Sequence, residues 1–397
     1  MSLVRFDRSP DLQHLRDDGY TVSVEETGYV LVRDVPYVTA AKAVERGILA
    51  YPVRASGNSA GPPDNHVVFF AGDVPHQSNG KPFGFHSPAG HVIAQDLVAN
   101  LQLSYKDPTH PVDADLYVKF KRYITLLEQH AQKVEPGVTA ALHRPVQDDD
   151  PESPFQYLDS ASSRAGIVRF AQRLEKQRVA IVGLGGTGSY VLDLVAKTRV
   201  AEIHLFDGDE LFSHNAFRAP GAASLGELNN LPKKVLYYSS KYSVLKRGIV
   251  PHPYYLTDSN ASELASMDFV FLCMEGGEVK QQLVLAMEQA NISFIDTSLD
   301  VLVMGDALGG TVQVTTSTPQ QREHLRGRVS FAEPSEDDVY SSNIQVADLN
   351  ALNAVMAVLK WKKLYRFYSD RRYEHFSVYG IEANLLASGD EGDGDEL

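Results

Sequence analysis

The run RVAIVGLGGTGS, residues 178–189, decides how the rest of the chain is read. Val179 to Val182 is an unbroken apolar stretch, as expected of a strand buried on both faces. It runs into Gly183-Leu184-Gly185-Gly186-Thr187-Gly188, a GxGxxG pattern that closes this strand and opens a helix expected from Ser189. In that setting the glycines let the backbone turn tightly and approach a phosphate or ribose at the helix N-terminus. The pattern alone also suits nicotinamide and flavin enzymes.

Downstream, apolar strands alternate with helical patterns: EIHLFDGD (202–209), a helix from Leu231, MDFVFLCM (267–274), a helix from Glu278, and SFIDTSL (293–299). Such alternation predicts an α/β fold, a doubly wound, mostly parallel sheet with helices on both faces. Asp207 lies 19 residues past Gly188, where a carboxylate usually takes the ribose hydroxyls. These features point to an adenine nucleotide. Upstream, RPVQDDDPESPFQYLDSASS (144–163) lacks any sustained hydrophobic period and reads as a linker. It separates a smaller α+β domain, residues 1–143, from the nucleotide domain, residues 164–387. In the former, segments 21–35 and 66–72 alternate as strands, and 113–133 reads as a helix.

The chain's 397 residues support sizeable cores without disulfides. Its single cysteine, Cys273, excludes a disulfide framework and fits a reducing cytoplasm. The first residues lack the apolar core of a signal peptide, and no stretch approaches the roughly 18 apolar residues of a membrane span. A formal charge of -14 argues against nucleic acid as the main partner. Residues 388–397, SGDEGDGDEL, carry five acids and one large apolar side chain, a composition expected to leave the tail disordered.

Asp207-Gly208-Asp209 leads into Ser213-His214-Asn215-Ala216-Phe217-Arg218, and Pro232-Lys233-Lys234 starts the next helical pattern. This set resembles the ThiF/MoeB/ubiquitin-activating family, in which a D-x-D strand end is followed by an S-N-x-x-R element and a helix-opening lysine. Here His214 is inserted after the serine. The resemblance runs from about Arg164 to about Ser298, and residues 341–364 look like the closing helix of bacterial ThiF-domain proteins.

The resemblance implies ATP- and magnesium-dependent adenylation of the C-terminal carboxylate of a ubiquitin-like protein, in a bacterial conjugation or sulfur-transfer pathway. Gly183, Gly185, Gly186, Gly188, Asp207 and Asp209 would hold the nucleotide, and Arg218 and Lys233 would supply positive charge to its phosphates. Lys234 is the alternative to Lys233. Two lysines in a first helical turn oppose the helix dipole at about 0.3–1 kcal/mol each, a cost that a bound polyphosphate offsets. Asn215 would orient phosphate or carboxylate. Glu275, with Glu278 as a rival, stands where the family has a magnesium-binding aspartate. Arg164, with Arg169 as its competitor, resembles the arginine that one subunit of a family homodimer lends to its partner's phosphates.

Cys273 is expected to be a buried small side chain beneath the nucleotide, not a thioester nucleophile. Residues 309–338, where relay members of the family carry their cysteine, have none, and the zinc-binding CxxC pairs are missing. The adenylate would therefore pass to an external nucleophile such as a conjugating-enzyme-like or acceptor protein, or less readily to a hydroxyl in a mobile segment at Thr315–Thr318. His66, His76, His86 and His91 follow no ligand spacing and read as ordinary hydrogen-bonding histidines. Two other function classes remain: a nicotinamide-dependent oxidoreductase, which gives Asn215, Arg218 and Lys233 no duty, and an inactive nucleotide-binding scaffold, suggested by Glu275 in place of aspartate.

Overall fold

Apolar residues between Thr21 and Ser104 build strands that the computed structural model pairs into an antiparallel sheet, with a large core on one face and a smaller buried cluster of Leu31, Ala50, Ile93 and Ala99 on the other. The structure describes residues 9–53, 55–56, 59–106, 113–148, 150–331 and 344–392. Helix α1 (Pro10–Asp17) precedes β1 (Thr21–Val24), β2 (Tyr29–Val38), β3 (Val44–Pro52), the short β4 (Ala55–Ser56) and β5 (Ser59–Ala60), β6 (Val67–Ala71), β7 (His86–Ala94) and β8 (Leu97–Ser104). Helices α2 (Leu116–Val134) and α3 (Ser160–Arg164) follow. The sheet order is β1-β2-β3-β6-β8-β7, every neighbour antiparallel. Helix α2 starts where the Asp115 carboxylate accepts the Val118 N–H at 2.8 Å. Its stripe Leu116, Phe120, Tyr123, Ile124 and Leu127 packs into the sheet's core. This α+β unit comprises residues 1–151 and 157–166.

The second unit comprises residues 152–156 and 167–397. It contains α4 (Val168–Ala171), β9 (Arg178–Val182), α5 (Gly186–Val195), β10 (Glu202–Phe206), α6 (Ser213–Ala216), α7 (Leu225–Asn229), α8 (Lys234–Tyr242), β11 (Ile249–His252), β12 (Phe269–Leu272) and α9 (Glu278–Gln289). It continues through β13 (Ser293–Met304), β14 (Ala307–Ser317), α10 (Leu325–Arg328), α11 (Ala347–Leu364), β15 (Glu374–Gly380) and β16 (Leu385–Glu391). Its sheet runs β11-β10-β9-β12-β13-β14-β15-β16. The first five strands are parallel and the last three add antiparallel pairs.

Side-chain parity explains why helices cover both faces. Val179, Ile181, Ile203, Leu205, Phe269 and Phe271 pack with α5, α8 and α11, whereas Ala180, Val182, Phe206, Val270 and Leu272 pack with α9. Trp361 of α11 is fully buried, its ring meeting Phe271 edge-on at 5.8 Å. The α/β expectation therefore holds, extended by a three-stranded antiparallel wing. Among the described residues no helix is long and apolar enough to cross a membrane.

Several local expectations change. The helix expected from Ser189 begins at Gly186, inside the glycine turn. The one expected from Leu231 begins at Lys234, because Leu231 is left-handed (φ 43°) and Lys233 is extended. Thr315–Thr318 is not a mobile segment: Thr315 to Ser317 lie in β14, and all four residues are at most 1% exposed. Ser388 to Glu391, expected to be disordered, form the end of β16, with Ser388 opposite Ser377 and Gly389 opposite Phe376. The ladder satisfies their backbone, and Arg328 Nε reaches the Asp390 carboxylate at 2.9 Å, offsetting what composition alone argued. Residues 393–397, and residues 341–343 ahead of α11, lie outside the described residues.

His66, His76, His86 and His91 bond Ser104 Oγ, Val74 O, Phe83 O and Tyr29 Oη respectively.

Candidate active site

Parallel strands deliver their carboxyl ends to one edge, and the loops after β9, β10, β11 and β12 meet there. The first is the glycine turn. Gly183 has φ 88°, and a Cβ on it would sit 2.5 Å from the Cys273 carbonyl oxygen. A Cβ on Gly188 would lie 1.9 Å from the Gly183 carbonyl oxygen, so neither position accepts a larger residue without backbone movement. Thr187 Oγ1 donates to Asn350 Oδ1 at 3.0 Å, which ties the turn to α11.

Asp207 follows β10 and locks this turn to its own loop. One carboxylate oxygen accepts the Leu184 N–H at 2.7 Å, the other the Asp209 N–H at 2.8 Å. Lys234 Nζ is 2.7 Å from Asp209 Oδ2 and 3.7 Å from Asp207 Oδ2, with its side chain 7% exposed. Burial works against ionising Asp209, but hydrogen bonds from Lys234 and Tyr255 outweigh it and hold the carboxyl below its usual range. Lys233, the half-exposed N-cap of α8, donates to the Gly208 carbonyl at 2.8 Å. The two neighbouring lysines thus divide: the buried Lys234 pairs with Asp209 and Asp207, and Lys233 keeps its amine near solvent.

Asn215 is buried in α6, and its Oδ1 accepts the Phe212 N–H at 2.9 Å, so it shapes this loop. Arg218 follows α6 with Nε buried and without a hydrogen-bond partner among the described residues. A buried guanidinium donor left unpaired costs energy, which an anionic ligand would recover.

After β12, Cys273 is partly buried, and burial pushes its thiol up to about 12. Glu275 and Glu278 are exposed in the next turn and at the start of α9. Deeper, Lys280 Nζ pairs with Asp296 at 2.5 Å, both side chains at most 4% exposed, and burial raises Asp296 to about 6. Sequence reading missed this pair, along with Asn350 and Tyr255, because each joins residues remote in the chain. Arg164 is exposed at the end of α3 in the first unit, and Arg169 lies on α4 with its guanidinium 4.5 Å from the Phe170 ring centre.

The ThiF family pattern matches residues 160–387, more than half of the chain. The chain belongs to the ThiF family. Residues 10–160 match a domain of unknown function, DUF6791. Membership places the second unit in the ThiF/MoeB adenylyltransferase superfamily. Curated relatives include ubiquitin-like modifier-activating enzyme 5 of Culex quinquefasciatus, 24% identical over 41% of this chain and 42% of that protein. The same enzyme of Caenorhabditis elegans is 23% identical over 51% of this chain and 48% of its own length. The chain thus spans about half or less of these relatives. Among solved structures, PaaA covers 56% of this chain and 75% of its own at 13% identity and TM-score 0.45. Escherichia coli MccB with ATP covers 57% and 67% at 15% identity and TM-score 0.44, a likeness too distant to carry function.

Proposed function

We propose that this chain adenylates the C-terminal carboxylate of a ubiquitin-like protein, using ATP. The observation that carries the reading is the joining of the glycine turn to Asp207, with the cationic side chains of Lys233 and Arg218 on the loops that follow, inside a ThiF-family domain. A carboxylate oxygen of the carrier attacks the α-phosphorus, the bond to the β-phosphate oxygen breaks, and pyrophosphate leaves. Catalysis of this kind consists of alignment and stabilisation of crowded negative oxygens.

In this reading the glycine-turn amides take phosphate oxygens and Asp207 takes the ribose. Arg218 and Lys233 stabilise charge on the phosphates, while Lys234 keeps Asp207 and Asp209 in place. Asn215 fixes the loop that presents Arg218. The exposed Glu275 carboxylate, a hard oxygen donor at this sheet edge, would hold magnesium, which would supply positive charge to the phosphates. The buried Cys273 thiol suits no thioester relay, so the adenylate passes to an external nucleophile, an acceptor or conjugating-enzyme-like protein. A homodimer in which Arg164 reaches the partner's phosphates completes the proposal; light scattering tests it against the 43.7 kDa monomer.

The decisive measurement is exchange of labelled pyrophosphate into ATP. Exchange that appears only when a ubiquitin-like carrier ending in glycine is added supports the reading. Nucleotide binding with no exchange in the presence of such carriers would sink it in favour of a scaffold.

A further inference from the structure

Tyr255, in the loop after β11, is 61% exposed, yet it is held at several points. Its hydroxyl donates to Asp209 Oδ1, and its carbonyl accepts from Asn260 Nδ2 at 3.2 Å. Its ring lies so close to Gly208 that a Cβ there would come within 2.7 Å of Cδ2 and Cε2. The hydrogen bond to Asp209, with burial, pushes the phenol up to about 12, so it remains a donor at neutral pH. The neighbouring aromatics are engaged with one another: Phe206 stacks on His252 at 4.1 Å and 7°, and Tyr254 meets both edge-on. Among the described residues no ring packs on Tyr255. A large aromatic that is both fixed and bare on one side is prepared for a flat ligand.

The order of groups along the sheet edge says which ligand. The glycine turn follows β9, Asp207 follows β10, and Tyr255 follows β11, the next strand outward. With phosphates at the N-terminus of α5 and the ribose on Asp207, the base projects away from the phosphates, toward Gly208 and the β11 loop. We propose that Tyr255 is the platform on which the purine of the bound nucleotide stacks. This rests on the nucleotide reading of the site and adds a contact that no motif in the sequence marks. Gly208 is required by it, since a side chain there would displace the ring. Stacking tolerates any base, so this contact contributes affinity and orientation; it does not select adenine.

The test is ATP titration of the full chain and of two variants, with 2-aminopurine riboside triphosphate as a fluorescent probe whose emission is quenched by stacking. Tyr255→Ala should weaken ATP binding between about 5- and 150-fold, the range spanned by loss of one base–aromatic stack. It should also relieve quenching at saturating protein. Tyr255→Phe keeps the ring and loses the bond to Asp209, and should stay within about threefold of the parent with quenching intact. Equal ATP affinity in Tyr255→Ala and the parent overturns the inference. So does unchanged probe emission in Tyr255→Ala at saturation, or a Tyr255→Phe as weak as Tyr255→Ala. If the parent chain, folded, binds no ATP at all, the nucleotide reading itself fails, an outcome distinct from parent binding that is indifferent to Tyr255.

Discussion

In the large sheet, β9, β10 and β12 are four or five residues long, mostly apolar and covered on both faces, while β14, β15 and β16 run seven to eleven residues with many Gly, Ser and Thr. Parallel strands need crossovers, so each carboxyl end opens into a loop at the same edge, and four such loops converge on the candidate site. Hairpins place successive turns at alternate edges, so the antiparallel wing gathers no such constellation. Instead it buries Thr315, Thr316, Ser317 and Thr318 within the fold. The difference teaches that connectivity decides where chemistry can be assembled.

The strongest way to probe the parallel half is through its buried charge. Lys280→Met leaves Asp296 buried without its partner and should cost on the order of 3–5 kcal/mol in urea unfolding. Lys280→Met with Asp296→Leu should recover most of that. Burial places Asp296 at about 6, above the usual carboxylate value of about 4. Between those values the folded state holds the proton that the unfolded chain has lost, so this group's contribution to stability falls as pH rises through the window. Comparing stability across that window in the parent and Asp296→Asn checks the sign: the variant should lack this fall.

Next in size are the contacts proposed to serve adenylation. Asp207→Ala or Arg218→Ala should each reduce carrier-dependent pyrophosphate exchange by about 2–4 kcal/mol in the transition state. Near-normal exchange in both variants would place the reaction elsewhere.

A smaller effect is expected at the base of the site. Cys273→Ala should lose about 1 kcal/mol of stability from a small cavity while exchange and onward transfer continue. A thiol-sensitive covalent adduct in the parent, absent from this variant together with transfer, contradicts the mechanism.

The smallest belongs to the antiparallel wing. Arg328 pairs with Asp390 and lies 4.0 Å over the Phe376 ring, both partly in solvent, so Arg328→Ala should cost below about 1 kcal/mol. Exchange should be unchanged; a variant that keeps its melting temperature but loses exchange would show the wing to be part of the site.

Legibility follows the same division. The glycine turn and Asp207 could be read because a strand, a turn and a fixed offset lie within one stretch of chain. The choice between Lys233 and Lys234 could not, because it depends on Lys233 being extended and on Lys234 turning toward Asp209 and Asp207. Asn350 comes 163 residues after Thr187, and Tyr255 comes 46 after Asp209; neither spacing repeats or matches a pattern. The acidic end was misread for a related reason. Composition reports the cost of ordering Ser388 to Glu391, but not the partner strand that offsets it.

By itself the sequence determined the α/β class, the sheet edge where the glycine turn and Asp207 meet, and the family to which the chain belongs, because hydrophobic period and glycine chemistry act over a few neighbouring residues. Only the tertiary structure decided the antiparallel wing, the division of labour between two adjacent lysines, the buried Lys280–Asp296 pair and the placing of Tyr255 over Gly208. Each of these depends on strand register and burial, which are set by contacts between residues far apart in the chain and leave no local signature.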